Sequence, residues 1–157
     1  MSKRLIAALF GVLAIALVAA GCGSSSDDST GASTALTKPE LIKQGDAICE
    51  KGNKAIEAEA EEFAEENNVD TENPTKAQQE EVIVDVVAPG VRKQVEEIGD
   101  LTPPSGDEAE IEAMVAAVEK GSDELESDPA KLIEGTNPLA QGSKLANAYG
   151  FKECGEE

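Results

Sequence analysis

The 157-residue chain contains no histidine and no tryptophan, and aromatic residues make up only 3% of it. Histidine is the commonest general base, a frequent metal ligand and the side chain that titrates near neutral pH. Its absence therefore argues against most hydrolytic centres, metal centres and pH switches. Because aromatic side chains are so scarce, we expect a hydrophobic core built from valine, isoleucine, leucine and alanine.

Basic residues are also scarce, with 13 Lys and Arg against 32 Asp and Glu and a formal net charge of −19. Lys3 and Arg4 are the only charged residues among the first 21, so the remaining chain is more acidic still. Binding to nucleic acid requires Lys and Arg to displace counterions from phosphates, and anionic lipid headgroups attract the same residues. The composition thus predicts no nucleic-acid partner and a well-solvated, self-repelling surface.

The N-terminus has the layout of a secretory signal. Lys3 and Arg4 precede an apolar run over residues 5–20, which Gly11 alone interrupts, and small residues follow it. A basic start, an apolar middle and small residues at the cleavage point are typical of such signals. A transmembrane helix needs about 20 apolar residues, so this run is short for one. A retained membrane helix is the alternative.

The segment Val18-Ala19-Ala20-Gly21-Cys22 resembles a lipobox, the cleavage motif of bacterial lipoproteins. In that family a diacylglyceryl group is attached to the cysteine thiol, and a dedicated peptidase cuts the chain immediately before the cysteine. Small side chains upstream suit the peptidase, and Ala19, Ala20 and Gly21 meet that requirement. The family prefers leucine where this chain has Ala19. An ordinary secretory signal with an incidental Cys22 is the alternative.

The resemblance implies cleavage between Gly21 and Cys22, acylation of Cys22 (palmitate is the usual chain), and attachment to the extracytoplasmic face of the cell membrane. Residues 23–34 have the Ser-, Gly- and Asp-rich composition of a flexible tether. Two acyl chains suffice for stable anchoring, because each buried methylene contributes about 0.8 kcal/mol. We therefore divide the chain into a signal peptide (1–21), a lipidated cysteine with its tether (22–36) and an acidic helical domain (37–157).

Two further cysteines, Cys49 and Cys154, remain once Cys22 is assigned to lipid. An even pair in an exported protein is typical of a structural disulfide, which we predict here. Closing so long a loop would contribute about 4–5 kcal/mol through the entropy of the unfolded chain. Two free thiols are the alternative. A redox-active pair requires close spacing such as C-x-x-C, which this pair lacks.

The spacing of apolar residues predicts an all-α bundle of three longer and two short helices, stapled by that disulfide. Thr37 and Pro39 suit the start of the first helix, and Gly150 suits the end of the last. The predicted helices cover residues 38–66, 76–101, 107–125, 128–134 and 137–149.

The form of the second helix stays open. Pro89-Gly90 kinks or breaks it, because proline lacks the N–H that a helix interior uses. The β-branched run over residues 82–84 would alternatively form a short strand. We favour a helix, since one helical face is predicted by the spacing of Val84, Val87, Val91, Val95 and Ile98.

Most of the chain, including the mature part, is similar to small uncharacterised helical lipoproteins of Gram-positive bacteria. The similarity comprises the lipobox, the tether, an early helix with a cysteine, the Pro103-Pro104 break, and the final Tyr-Gly-x-x-x-Cys stretch from Tyr149 to Cys154. This resemblance implies a helical fold and an envelope location, and it implies no particular activity.

The densest group of candidate ligands is an acidic run near the end of the first predicted helix. It consists of Glu57, Glu59, Glu61, Glu62, Glu65 and Glu66. Like charges at a spacing of four residues repel one another, and a divalent cation would relieve that repulsion. One rigid helix rarely supplies the six to eight oxygens that calcium takes, so we interpret the run as a solvated face, with a weak cation site as the alternative.

No metal site, cofactor or catalytic residue is predicted. Asn68, Asp70 and Glu72 resemble the start of an EF-hand loop, but Asn73 stands at the sixth position, where glycine is required, and Gln79 at the twelfth, where glutamate is required. Ser143 and Lys144 are adjacent, so on a helix they point apart and cannot form a Ser–Lys pair. We expect a non-catalytic envelope lipoprotein that serves as an accessory or protein-interaction module, with another envelope protein as candidate partner. The alternative is a small-molecule or cation-binding lipoprotein.

Overall fold

The computed structural model describes residues 35–155, which form an all-α bundle of three longer and two short helices, as predicted. Helix α1 spans Lys38–Glu66, α2 runs over residues 76–99, α3 spans Glu108–Ser127, α4 spans Ala130–Ile133 and α5 spans Ala140–Tyr149. A 3-10 turn, Glu153–Gly155, follows α5. Between residues 35 and 155 there is no β-strand.

Helix α1 begins at a capping box. The backbone N–H and the hydroxyl of Thr37 donate to Oε2 of Glu40 at 2.9 and 2.6 Å, which satisfies a donor that the helix itself leaves free. These hydrogen bonds from Thr37 lower the pKa of the Glu40 carboxyl. Pro39 occupies the first turn, where no intrahelical N–H bond is needed. The predicted start of α1 is therefore confirmed with its physical cause.

Only the first half of α1 faces the core. Its buried residues are Leu41, Gly45 and Cys49, all within the first four turns. Ile56 and Phe63, which extend the same predicted stripe, are only half-buried. The second half of α1 therefore leaves part of its apolar stripe exposed.

Helix α2 runs through Pro89 without a break. It consists of Lys76–Val82, a π-helical turn over Ile83–Val87 and Ala88–Gly99. In the π-turn the N–H of Ala88 donates to the carbonyl of Ile83, five residues earlier. The strand alternative for residues 82–84 is thus wrong.

The π-turn also explains a shift in the buried face of α2. Proline cannot donate to the residue four positions before it and its ring crowds that carbonyl, so the wider turn accommodates it. A π-turn contains one residue more than an α-helical turn. The residues that precede it are therefore shifted by one position around the helix axis, and a different set of them faces the core. Ile83 and Val86 are therefore buried in place of the predicted Val84 and Val87, whereas Val95, beyond the turn, is buried as expected.

The core consists of two clusters. The larger one joins α1, α2, α3 and α5 with the segment after α5, and its members are Leu41, Cys49, Ile98, Ile111, Met114, Ala146, Tyr149 and Phe151. The smaller one, Ile83, Ala88 and Leu125, is covered by half-buried residues that include Leu132 and Leu139. The smaller cluster is aliphatic, as expected, whereas only half of the larger cluster is, because Tyr149 and Phe151 contribute aromatic rings to it.

The segment just before α5 approaches α3 closely at Gly121. A Cβ atom at this position would lie 2.7 Å from the carbonyl oxygen of Pro138 and 2.8 Å from Cδ2 of Leu139. Real Cβ atoms do not approach other atoms so closely, so the backbone at 138–139 rests directly on α3 only because residue 121 is glycine. Gly150, with φ of 122°, caps α5 as predicted.

Candidate functional site

The predicted site residues fall into two groups. Gly21 and Cys22, the predicted cleavage and lipidation positions, lie outside the described residues. Cys49 and Cys154 are joined by a disulfide, with a Cα–Cα distance of 5.2 Å and a separation of 105 positions along the chain. The predicted pairing is confirmed, and the alternative of two free thiols is wrong.

The disulfide lies within a wider attachment of the C-terminal segment to α1. The ring of Phe151, only 1% exposed, sits against α1 at Gly45. The backbone N–H groups of Lys152 and Glu153 donate to Oδ1 of Asp46 at 2.9 and 3.0 Å. A carboxylate that accepts two backbone donors forms charge-assisted hydrogen bonds, which are the stronger kind. The segment after α5 therefore has a defined position against α1.

A cavity of about 130 Å³ lies beside the disulfide. Helices α2, α3 and α5 line it with apolar side chains, among them Val95, Met114 and Ala146. Both cysteines of the disulfide form part of its wall. We call this space the disulfide cavity.

Polar groups also reach the disulfide cavity, and Gln94 is one of them. Its side chain is only 9% exposed, and its Nε2 donates to Oδ1 of Asn53 on α1 at 3.2 Å. A Cβ atom at Gly52 would collide with the Gln94 side chain, so glycine at this position lets Gln94 lie flat against α1. The hydrogen bond and the close approach together hold one amide of α2 at the edge of the cavity.

Ser143 and Glu153 complete the polar lining. Ser143 is 8% exposed, and its hydroxyl has no hydrogen-bond partner within residues 35–155. Glu153, on the 3-10 turn, is half-buried and is the one acidic side chain in the lining. A largely apolar cavity with a few placed polar groups is the usual form of a small-molecule site.

A second feature is an apolar groove of about 210 Å³ at the far end of α1. It runs between the last turns of α1, the loop over residues 67–75 and the first turns of α2. Its floor is formed by Ala60, Phe63, Val69, Pro74 and Val82. We call it the distal groove.

Acidic side chains border the distal groove. Helical spacing places Glu57 and Glu61 along one flank of its α1 residues and Glu66 along the other, and all three are exposed. Lys76 is the basic residue nearest in sequence to the groove, and its ammonium pairs with Glu134 at 3.3 Å and Glu80 at 3.6 Å. The groove therefore combines an apolar floor with a strongly negative border.

The loop that closes the distal groove is held by its own hydrogen bonds. Asn68 adopts a left-handed conformation with φ of 52°, which asparagine tolerates better than most residues. Oδ1 of Asp70 accepts from the N–H of Glu72 at 3.0 Å, so the carboxylate of Asp70 serves a tight turn. Across residues 35–155, no three Asp, Glu, Cys or His side chains converge closely enough to hold a metal ion.

The ring of Tyr149 ties the end of α5 to the start of α3. Its hydroxyl donates to Oδ2 of Asp107 at 2.7 Å, and its ring stacks on Phe151 with centroids 5.3 Å apart. The ammonium of Lys38 lies 3.9 Å above the Tyr149 ring centroid, a cation–π contact. Burial and the hydrogen bond to Asp107 raise the pKa of Tyr149 well above its ordinary value.

Two features of these sites went unpredicted. Gln94 interrupts the apolar face of α2 between Val91 and Val95, and a polar residue on such a face was the available signal for a cavity. The distal groove had a weaker signal, since Val69 and Pro74 lie in a loop whose path no periodicity predicts.

Comparison with known proteins gives no relative: no family model matches, and neither a curated protein nor a solved structure is significantly similar. Within the described range, no helix is long and apolar enough to cross a membrane.

Proposed function

We propose that the chain is a membrane-anchored, extracytoplasmic lipoprotein without catalytic activity, which uses its distal groove to bind a basic amphipathic segment of another envelope protein. The observation that carries the interaction is the groove itself, where an apolar floor around Phe63 is bordered by exposed glutamates. A helix or loop with apolar anchors and flanking Lys or Arg complements both features.

The position of the groove supports this proposal. The tether would join the bundle at Thr37, immediately before α1, and the groove lies at the other end of that 29-residue helix. At 1.5 Å per residue the two ends of α1 are separated by about 43 Å. A lipid on Cys22 would therefore be connected to the end of α1 that lies opposite the groove.

The anchoring part is tested by substituting Cys22. We expect Cys22→Ala to move the protein from the membrane fraction into the soluble or secreted fraction, with Cys49→Ala as the matched control that leaves the lipobox cysteine in place. If both variants remain in the membrane fraction, a lipid on Cys22 does not anchor the chain.

The interaction part is tested by formaldehyde crosslinking in intact cells, followed by affinity purification of the full-length chain and mass spectrometry. We compare the unaltered chain with a Glu57→Gln, Glu61→Gln, Glu66→Gln variant. The matched control neutralises three exposed acids elsewhere, Glu96, Glu112 and Glu119.

We expect one stoichiometric envelope protein that is depleted by the groove variant and retained by the control. Equal recovery with both variants would mean that the negative border takes no part in binding. Because the border acts through charge, recovery should also fall when the crosslinking is carried out at high salt.

A further inference from the structure

The disulfide cavity contains hydrogen-bonding groups that the described part of the protein leaves unused. Gln94 is 9% exposed and Ser143 is 8% exposed, so both side chains are more than nine-tenths buried. Gln94 uses one donor, toward Asn53, and neither its Oε1 nor the Ser143 hydroxyl has a partner within residues 35–155. Among the described residues no fully buried side-chain nitrogen or oxygen lacks a partner, so solvent still reaches these two groups, and a ligand that enters the cavity can take the place of that water.

The lining offers several acceptors together with the amide N–H groups of Asn53 and Gln94, and its one charge is negative. Gln94 Oε1 and the carboxylate of Glu153 can only accept, and the hydroxyl of Ser143 can accept as well as donate. Glu153 is the one charged residue in the lining, and no lysine or arginine lines the cavity. The ammonium of Lys54 hydrogen-bonds Oε1 of Glu50 at 2.6 Å and also interacts electrostatically with Glu153, although it does not line the cavity.

We propose that the disulfide cavity binds a small primary amine with an apolar body. An ammonium group carries three N–H donors and no acceptor, which matches the carboxylate of Glu153, the Oε1 of Gln94 and the hydroxyl of Ser143. The apolar body lies against Val95 and Met114.

The size of the cavity limits the ligand. An apolar cavity of about 150 Å³ holds a benzene-sized molecule. The disulfide cavity measures about 130 Å³ and is partly open at its Asn53 and Glu153 edge, so an aromatic ring fits inside with its amine toward the opening. The net charge of −19 favours the approach of cations over anions.

This site is separate from the distal groove. It supports the alternative expectation from the sequence, a lipoprotein that binds a small molecule. Ligand binding here does not depend on a protein partner, on the groove acids or on the lipid at Cys22. The two proposals can therefore fail independently.

Met114 provides a specific probe for the experiment. The chain has two methionines, Met1 and Met114, and Met114 lines the cavity. We would label the full chain with methyl-¹³C methionine and titrate it with benzylamine while following the Met114 methyl resonance by NMR. Benzyl alcohol and benzoate serve as matched probes that keep the ring and change the head group.

We expect the Met114 resonance to shift saturably with benzylamine, more weakly with benzyl alcohol and not with benzoate. Glu153→Gln should weaken the binding of benzylamine by about tenfold and leave the binding of benzyl alcohol nearly unchanged, because only benzylamine loses a charged hydrogen bond. Ser143→Ala should weaken the binding of both ligands by about threefold. Glu112→Gln, which removes an exposed acid of α3 outside the lining, should change neither.

A variant that fills the cavity completes the design. Val91 is a half-buried lining residue, so Val91→Phe adds volume at the edge of the cavity with little burial of new surface. It should abolish the shift for both ligands. The proposal is overturned if benzylamine leaves Met114 unmoved up to solubility-limited concentration, or if benzoate binds equally well. The first result would mean that water alone occupies the cavity, and the second that the lining does not select an ammonium head group.

Discussion

Replacing both Cys49 and Cys154 with alanine removes a cross-link that spans 105 positions of the chain. The main effect acts on the unfolded state, which gains the conformational freedom that loop closure had withheld. For a loop of this length the chain-entropy model gives about 4.7 kcal/mol. Domains of this size unfold with about 5–15 kcal/mol, so the double variant should keep only part of its stability.

The folded state should change little, because other contacts hold the same segment. Phe151 remains buried against Gly45, and Asp46 still accepts from the backbone of Lys152 and Glu153. The double variant should therefore retain its helical circular dichroism at low temperature. Its loss of stability should appear as a lower midpoint in urea and, because its unfolded chain is more expanded, as a steeper dependence of the free energy on urea.

The assay is urea unfolding of the full chain followed by far-ultraviolet circular dichroism, which suits an all-α protein without tryptophan. Cys22→Ser is the control, since it removes a cysteine and leaves the disulfide intact. A loss of less than about 1 kcal/mol in the double variant would refute the loop-closure argument. An equal loss in Cys22→Ser would show that the effect is not specific to the cross-link.

Two other predictions concern single residues. Tyr149 is the chain's one tyrosine, and its raised pKa means that its phenolate absorbance at 295 nm should appear at higher pH in the folded protein than in urea, where it should appear near pH 10. Its contribution to stability is present below pH 10 and is lost as the pH rises further, and Asp107→Asn should bring the folded titration closer to the unfolded one. Gly121→Ala should destabilise the fold by about 1–3 kcal/mol because the new Cβ meets Pro138, whereas Gly99→Ala, with open space around it, should stabilise it by about 0.4–1 kcal/mol. Folded and unfolded chains with identical Tyr149 titrations, or two glycine variants with the same urea midpoint, would contradict these assignments.

The sequence predicted the helices well where local chemistry determines them. Thr37 and Glu40 form a capping box through side chains three residues apart, so the start of α1 could be read from a few adjacent residues. The disulfide was also predictable, because once Cys22 is set aside only one pairing of Cys49 and Cys154 remains.

Prediction failed where distant segments determine the outcome. The π-turn before Pro89 shifts burial from Val84 and Val87 to their neighbours, and no periodicity analysis that assumes regular α-helix can anticipate that shift. Burial of Gln94 depends on Gly52, which is far away in sequence and opposite it in space. The disulfide cavity and the distal groove are both formed by contacts between segments that are far apart in the sequence.

Site-specific photocrosslinking in intact cells tests the proposed function most directly. Benzoylphenylalanine, an analogue of phenylalanine, would replace Phe63 on the floor of the distal groove, and in a control it would replace Ala113, which is exposed on α3. We predict that position 63 captures one envelope protein through a basic amphipathic segment identified by mass spectrometry, and that position 113 captures nothing comparable. No product at position 63, or the same products at both positions, would contradict a binding role for the groove.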